Sequence, residues 1–156
     1  MKSKKGLLVK CIAIPLLVGV IAAFITGGGM QNFEMLNKPP LSPPGWLFPV
    51  VWTILYTCMG IASYLVITSG ADSEKITNAL KTYLYQLAVN FLWPTFFFNF
   101  EWYLFSFLWI LLLWILILKM FRQFSEISKW AGYLIVPYLL WVTFAAYLNF
   151  GIWRLN

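Results

Sequence analysis

Apolar residues fall in five long stretches, not in the alternating or heptad patterns of a soluble core. They cover about residues 7–27, 46–69, 76–99, 103–121 and 130–153. Each is close to the roughly 20 residues that a helix needs to cross about 30 Å of hydrocarbon. Polar connections at residues 69–75 and 122–129 separate them, glycines at residues 27–29 stop the first, and Asn90 and Pro94 interrupt the third. This pattern predicts an all-α integral membrane protein, a five-transmembrane-helix bundle forming a single domain over residues 1–156. A basic start followed by an apolar run also suits a signal peptide. The run is long for one and lacks a clear small-x-small cleavage site, so a first transmembrane helix is expected. Gly19, Ala23 and Gly27, four apart, form a small-residue stripe that would admit a close helix neighbour.

Between the first two stretches, Pro39, Pro40, Pro43, Pro44 and Gly45 exclude a helix. Pro49 falls in the first turn of the next apolar run, where proline costs little. Trp46, Phe48 and Trp52 follow. The expectation is a stiff lid that feeds an aromatic-lined helix mouth.

Composition supports the membrane class: 62% of residues are hydrophobic, 20% aromatic and only 10% charged. The mean hydropathy is +0.79. A soluble chain of this size would have too little polar surface. The net charge of +6 suggests nucleic acid less than topology, because no soluble basic face exists to hold it. With five crossings, Lys2, Lys4, Lys5, Lys10, Lys75, Lys81, Lys119, Arg122 and Lys129 share one side. Only Lys38 and Arg154 lie on the other. The positive-inside rule then puts the N-terminus in the cytoplasm and the lid and C-terminus outside, as in a bacterial cell membrane.

Catalytic chemistry has few candidates. The chain has no histidine, and Cys11 and Cys58 lie in different spans without metal-ligand spacing, so no metal site or cofactor is expected. Both cysteines read as small apolar residues. The five acidic residues fall in loops or at helix ends, which leaves no paired carboxylates and no mid-membrane ionisable group of the kind ion-coupled pumps use. Asn90 is the clear polar residue within a span; it either joins helices or meets a ligand. Trp52, Trp93 and Trp141 stand inside spans, where a ring cannot serve an interfacial belt. Ala145 and Ala146 remove bulk next to Trp141.

Three segments carry a resemblance. Lys38-Pro-Pro-Leu-Ser-Pro-Pro-Gly-Trp46 with Phe48-Pro-Val-Val-Trp52, Asn90-Phe-Leu-Trp93-Pro94, and the run from Pro137 through Trp141 and Asn149 to Arg154 resemble motifs of the TspO/MBR family, in order. That family comprises tryptophan-rich sensory proteins and translocator, benzodiazepine receptor-like proteins. The resemblance implies a five-helix bundle with a pocket under the first loop for porphyrins, sterols and isoquinoline or benzodiazepine drugs. The matching pocket positions are Trp52, Asn90, Trp93, Trp141, Ala145 and Leu148, with Phe33 and Pro44 in the lid. A homodimer is also implied. Leu41 departs from the tryptophan common before the second Pro-Pro pair. Phe150 stands where the family's sterol consensus wants tyrosine, so a sterol is not the expected natural ligand.

Three function classes follow. The first is a receptor, sensor or transporter-like protein that binds protoporphyrin IX and related tetrapyrroles. The second is an enzyme degrading protoporphyrin with light and oxygen, in which Trp52 and Trp141 would be the catalytic residues by resemblance. The third is a structural or assembly protein whose rings only pack.

Overall fold

The computed structural model describes residues 2–27 and 29–156. Met1 and Gly28, the latter inside the expected stop at residues 27–29, lie outside them. Among the described residues the chain is helical, with no strand. Its five long helices are α1 (Lys2–Thr26), α3 (Leu47–Ile67), α4 (Ser73–Pro94), α5 (Tyr103–Ile127) and α6 (Lys129–Leu155). A short helix, α2 (Gly29–Met35), occupies the first loop, and a π-helical turn (Thr95–Asn99) continues α4.

Four of the long helices, α1 from Ser3 together with α3, α5 and α6, are long and apolar enough to cross a membrane. The expected five are therefore not all carried by composition. α4 is the exception, because Glu74, Lys75, Lys81, Gln86 and Asn90 lower its hydropathy.

Boundaries also differ from expectation, each for a local reason. α1 begins at Lys2, five residues early. α2 forms where an irregular loop was expected: Gln31–Met35 contains no breaker, and buried Phe33 anchors it. Asn90 does not interrupt α4, which runs on to Pro94. After Pro94 the backbone widens rather than breaks, with Phe100 N–H donating to Thr95 O and Trp102 N–H to Phe96 O, both at 3.0 Å. α5 continues through the expected polar turn at residues 122–129. Phe124 is buried there, while Arg122, Ser125 and Glu126 face outwards, so these residues make an amphipathic last turn. Ser128 alone forms the connection. Its backbone is extended, and its Oγ accepts from Ala131 N–H to cap α6.

Met59, Ala62 and Val66 of α3 pack with Ala79 and Leu87 of α4, Ile117 and Met120 of α5, and Ile135 and Val142 of α6. Lipid is as apolar as these side chains, so burial does not itself drive the helices together. Close packing and hydrogen bonds do. At Gly60 the backbones of α3 and α1 meet: a Cβ there would lie 2.5 Å from Ile12 Cα. The small-residue stripe divides into separate roles. Gly19 takes the Tyr56 ring against it, Ala23 stays exposed, and Gly27 ends α1 at φ +38°. Within the bundle, Trp109 Nε1 donates to Val89 O and Trp114 Nε1 to Thr143 Oγ1, each at 2.8 Å.

The proline segment is non-helical as expected and lies against the end of α6. Asn37 N–H donates to Asn156 Oδ1 at 3.2 Å, and Asn156 Nδ2 donates to Asn37 O at 2.9 Å. Tyr147 donates to Pro40 O at 2.8 Å. Pro39 covers Gly151, where a Cβ would come within 2.5 Å of it. Leu41, at the tip, is exposed and adopts φ +70°.

Candidate ligand-binding cavity

A cavity of about 330 Å³ lies among α1, α2, α3, α4, α5 and α6, at the end of the bundle that carries α2. Helical periodicity brings its walls together. Phe48, Trp52 and Tyr56 recur at every fourth residue of α3, and Trp141, Ala145, Leu148 and Ile152 recur at three or four along α6. Asn90 and Trp93 supply the α4 face, Phe97 the π-helical turn, and Gly19, Val20 and Ala23 the α1 side. Phe33 caps it from α2, edge-on to Phe48 at 5.4 Å and packed on Phe98 at 6.2 Å.

Seven of the eight ligand-binding residues expected from the sequence line this one space: Phe33, Trp52, Asn90, Trp93, Trp141, Ala145 and Leu148. Pro44 does not. It is exposed on the proline segment, off the cavity wall. Trp46 is exposed and off the wall too, although a rim position was expected. The cap is therefore α2, while the proline segment clasps the end of α6. The reason is geometric: Pro39 and Pro40 are held on Gly151 and Tyr147, leaving that end of the cavity to be closed by Phe33.

The wall is aromatic and aliphatic, with a few fixed polar groups. Asn90 Oδ1 accepts from the Tyr56 hydroxyl at 2.9 Å, and its Nδ2 donates to the Tyr138 hydroxyl at 2.6 Å. It therefore joins α3, α4 and α6 while also bordering the cavity, combining the two roles that its position left open. Trp93 Nε1 donates to Asn149 Oδ1 at 3.0 Å, and Asn149 Nδ2 donates to Tyr103 O at 2.8 Å. Trp141 packs on Phe48 at 5.9 Å, and its buried Nε1–H has no partner among the described residues. The described lining includes no Asp, Glu, Lys or Arg. Such a site can hold a flat apolar molecule by ring faces and orient it by hydrogen bonds.

Tyr56, Phe97 and Asn149 escaped the sequence reading. Their signal was spacing: Tyr56 is four residues after Trp52, and Asn149 four after Ala145, so each shares a face with an expected wall residue.

The TspO/MBR family model matches residues 11–154. This chain belongs to the TspO/MBR family. It is 40% identical over 147 residues to the tryptophan-rich protein TspO of Chlorobaculum tepidum, covering 94% of this chain and 93% of that protein. It is 39% identical to the tryptophan-rich sensory protein of Cereibacter sphaeroides over 80% of this chain and 76% of that one. The human translocator protein is 35% identical over 134 residues, 85% of this chain and 79% of its own length. As a TspO/MBR protein the chain is an integral membrane protein, in keeping with its four strongly apolar helices.

Proposed function

We propose that this TspO/MBR protein is a membrane receptor or carrier that takes flat multi-ring ligands into the cavity, protoporphyrin IX and heme-related tetrapyrroles first. Fused-ring drugs of the isoquinoline or benzodiazepine type would use the same space. The observation that carries it is the convergence of Phe33, Trp52, Asn90, Trp93, Trp141, Ala145 and Leu148 on one aromatic-walled cavity. At about 330 Å³ the space is near the lower end of the roughly 300–1,000 Å³ common for ligand pockets. A tetrapyrrole would therefore extend past the mouth, where Val20, Ala23, Pro49 and Thr53 line the cavity and are exposed.

In this proposal α4 is the fifth crossing. Its Thr82, Gln86 and Asn90 are buried inside the bundle, so hydropathy averaged over all faces understates how apolar its lipid side is. The N-terminus lies in the cytoplasm, the cavity opens towards the other side, and the protein associates as a homodimer.

The test is a protoporphyrin IX titration of the purified protein in the dark, followed by illumination of the saturated complex in air. Saturable tryptophan quenching with a stable pigment is expected for a receptor or carrier. Protein-dependent bleaching, abolished by joint Trp52→Phe and Trp141→Phe substitution, would instead make it an enzyme. No quenching would leave the rings as packing only.

A further inference from the structure

Behind the cavity wall a chain of hydrogen bonds runs inward. The Tyr56 hydroxyl donates to Asn90 Oδ1, Asn90 Nδ2 donates to the Tyr138 hydroxyl, and Tyr138 donates to Gln86 Oε1 at 2.7 Å. Gln86 Nε2 ends the chain 3.7 Å from the Met59 sulfur. Tyr56 and Asn90 line the cavity. Tyr138, Gln86 and Met59 lie behind it, completely buried.

A hydroxyl has one hydrogen, and an amide presents oxygen on one side and N–H on the other. The four groups can therefore point only one way or the other as a set, and the buried end decides which. A thioether has no hydrogen and can only accept. With the Gln86 N–H towards sulfur, its oxygen faces Tyr138. With the amide reversed, a buried carbonyl oxygen would meet a sulfur that cannot donate, and it would lose its partner. The hydrogen of Tyr138 is thus committed to Gln86, an N–H of Asn90 to Tyr138, and the one hydrogen of Tyr56 to Asn90. The Tyr56 oxygen has only lone pairs left to offer.

We propose that Met59 sets the direction of this chain and so makes the Tyr56 hydroxyl an acceptor. The cavity then favours flat apolar ligands carrying an N–H or O–H over isosteres without one. This rests on the cavity being a binding site. Tyr56 is the specificity determinant, and Met59 is a positioning residue acting through Gln86, Tyr138 and Asn90. Because Trp141 Nε1–H, of opposite polarity, has no partner among the described residues, the Tyr56 contribution has to be isolated by substitution.

Three tricycles of matched shape make the test: carbazole with a ring N–H, dibenzofuran with a ring oxygen, and fluorene with neither. Each is titrated calorimetrically into the full chain in detergent. Carbazole should bind about fivefold tighter than fluorene, the factor that a net hydrogen bond of about 1 kcal/mol gives. Tyr56→Phe should bring carbazole down to fluorene and leave fluorene unchanged. Met59→Leu, which keeps the volume and removes the acceptor, should shrink the carbazole-to-dibenzofuran preference towards unity without touching the wall. Equal affinities in the wild type, or equal losses for all three in Tyr56→Phe, would overturn the acceptor role while leaving the cavity intact. An unchanged preference in Met59→Leu would overturn the positioning role. No binding by any of the three would overturn the cavity itself, and the proposal with it.

Discussion

Gly60→Ala tests the point at which α1 is seated on the rest of the bundle. A Cβ on Gly60 would lie 2.5 Å from Ile12 Cα and 2.6 Å from Cys11 O. Carbon atoms pack at about 3.5–4.0 Å, so the helices must part by about 1 Å. These are backbone atoms, and no side-chain rotation can relieve them. Overpacking of this kind costs about 1–3 kcal/mol, and alanine returns about 1 kcal/mol of helix propensity over glycine. The net is a loss of about 0–2 kcal/mol. Because α1 also supplies Gly19, Val20 and Ala23 to the cavity, the same displacement should loosen the wall and weaken protoporphyrin binding. Thermal unfolding in detergent, followed by reaction of the buried Cys11 with a thiol dye, reads the first effect; quenching reads the second. Gly6→Ala is the control, since nothing among the described residues lies within 4 Å of its Cβ position, and it should match or slightly exceed the wild type. Gly60→Ala melting above the wild-type temperature would refute the close α1–α3 approach.

Ala145→Leu should fill part of the cavity and weaken protoporphyrin binding at least tenfold, about 1.4 kcal/mol, with little change in stability; unchanged affinity would count against the site. Trp93→Phe removes the donor to Asn149 Oδ1. A double-mutant cycle with Asn149→Leu should give a coupling of about 0.5–1.5 kcal/mol in unfolding, and zero coupling would mean that the bond contributes nothing. Asn156→Ala removes both ends of the exposed clasp to Asn37. Faster hydrogen exchange confined to residues 37–46 is expected, with a stability loss below about 1 kcal/mol; exchange unchanged there would show that the proline segment holds itself.

Much of the fold was legible because a membrane helix has to be long and continuously apolar. α1, α3, α5 and α6 could be read from their runs alone. α4 was harder: Asn90 looks like an interruption until its partners, Tyr56 and Tyr138, are brought up from other helices. The extension of α5 to Ile127 was hidden by Arg122, Gln123 and Glu126, which look like a loop but lie on an amphipathic turn beneath buried Phe124. In the lid, prolines correctly excluded a helix at residues 39–45, yet the residue that caps the cavity, Phe33, sits in a short helix that has no strong start signal. Resemblance puts Pro44 in the lid with Phe33; of the two only Phe33 lines the cavity, while Pro39 and Pro40 hold the proline segment against α6.

The sequence by itself determined that this is an all-helical TspO/MBR membrane protein, roughly where its four most apolar helices run, and which rings lie inside them. Those properties follow from local composition, because backbone polar groups in lipid must be satisfied within each helix. Tertiary structure alone decided which faces converge on the cavity, that α2 rather than the proline segment caps it, and which way the Tyr56–Asn90–Tyr138–Gln86 hydrogens point. Each depends on groups from several helices meeting at hydrogen-bond or van der Waals distance, and no periodicity along one chain segment encodes which helix its neighbour will be.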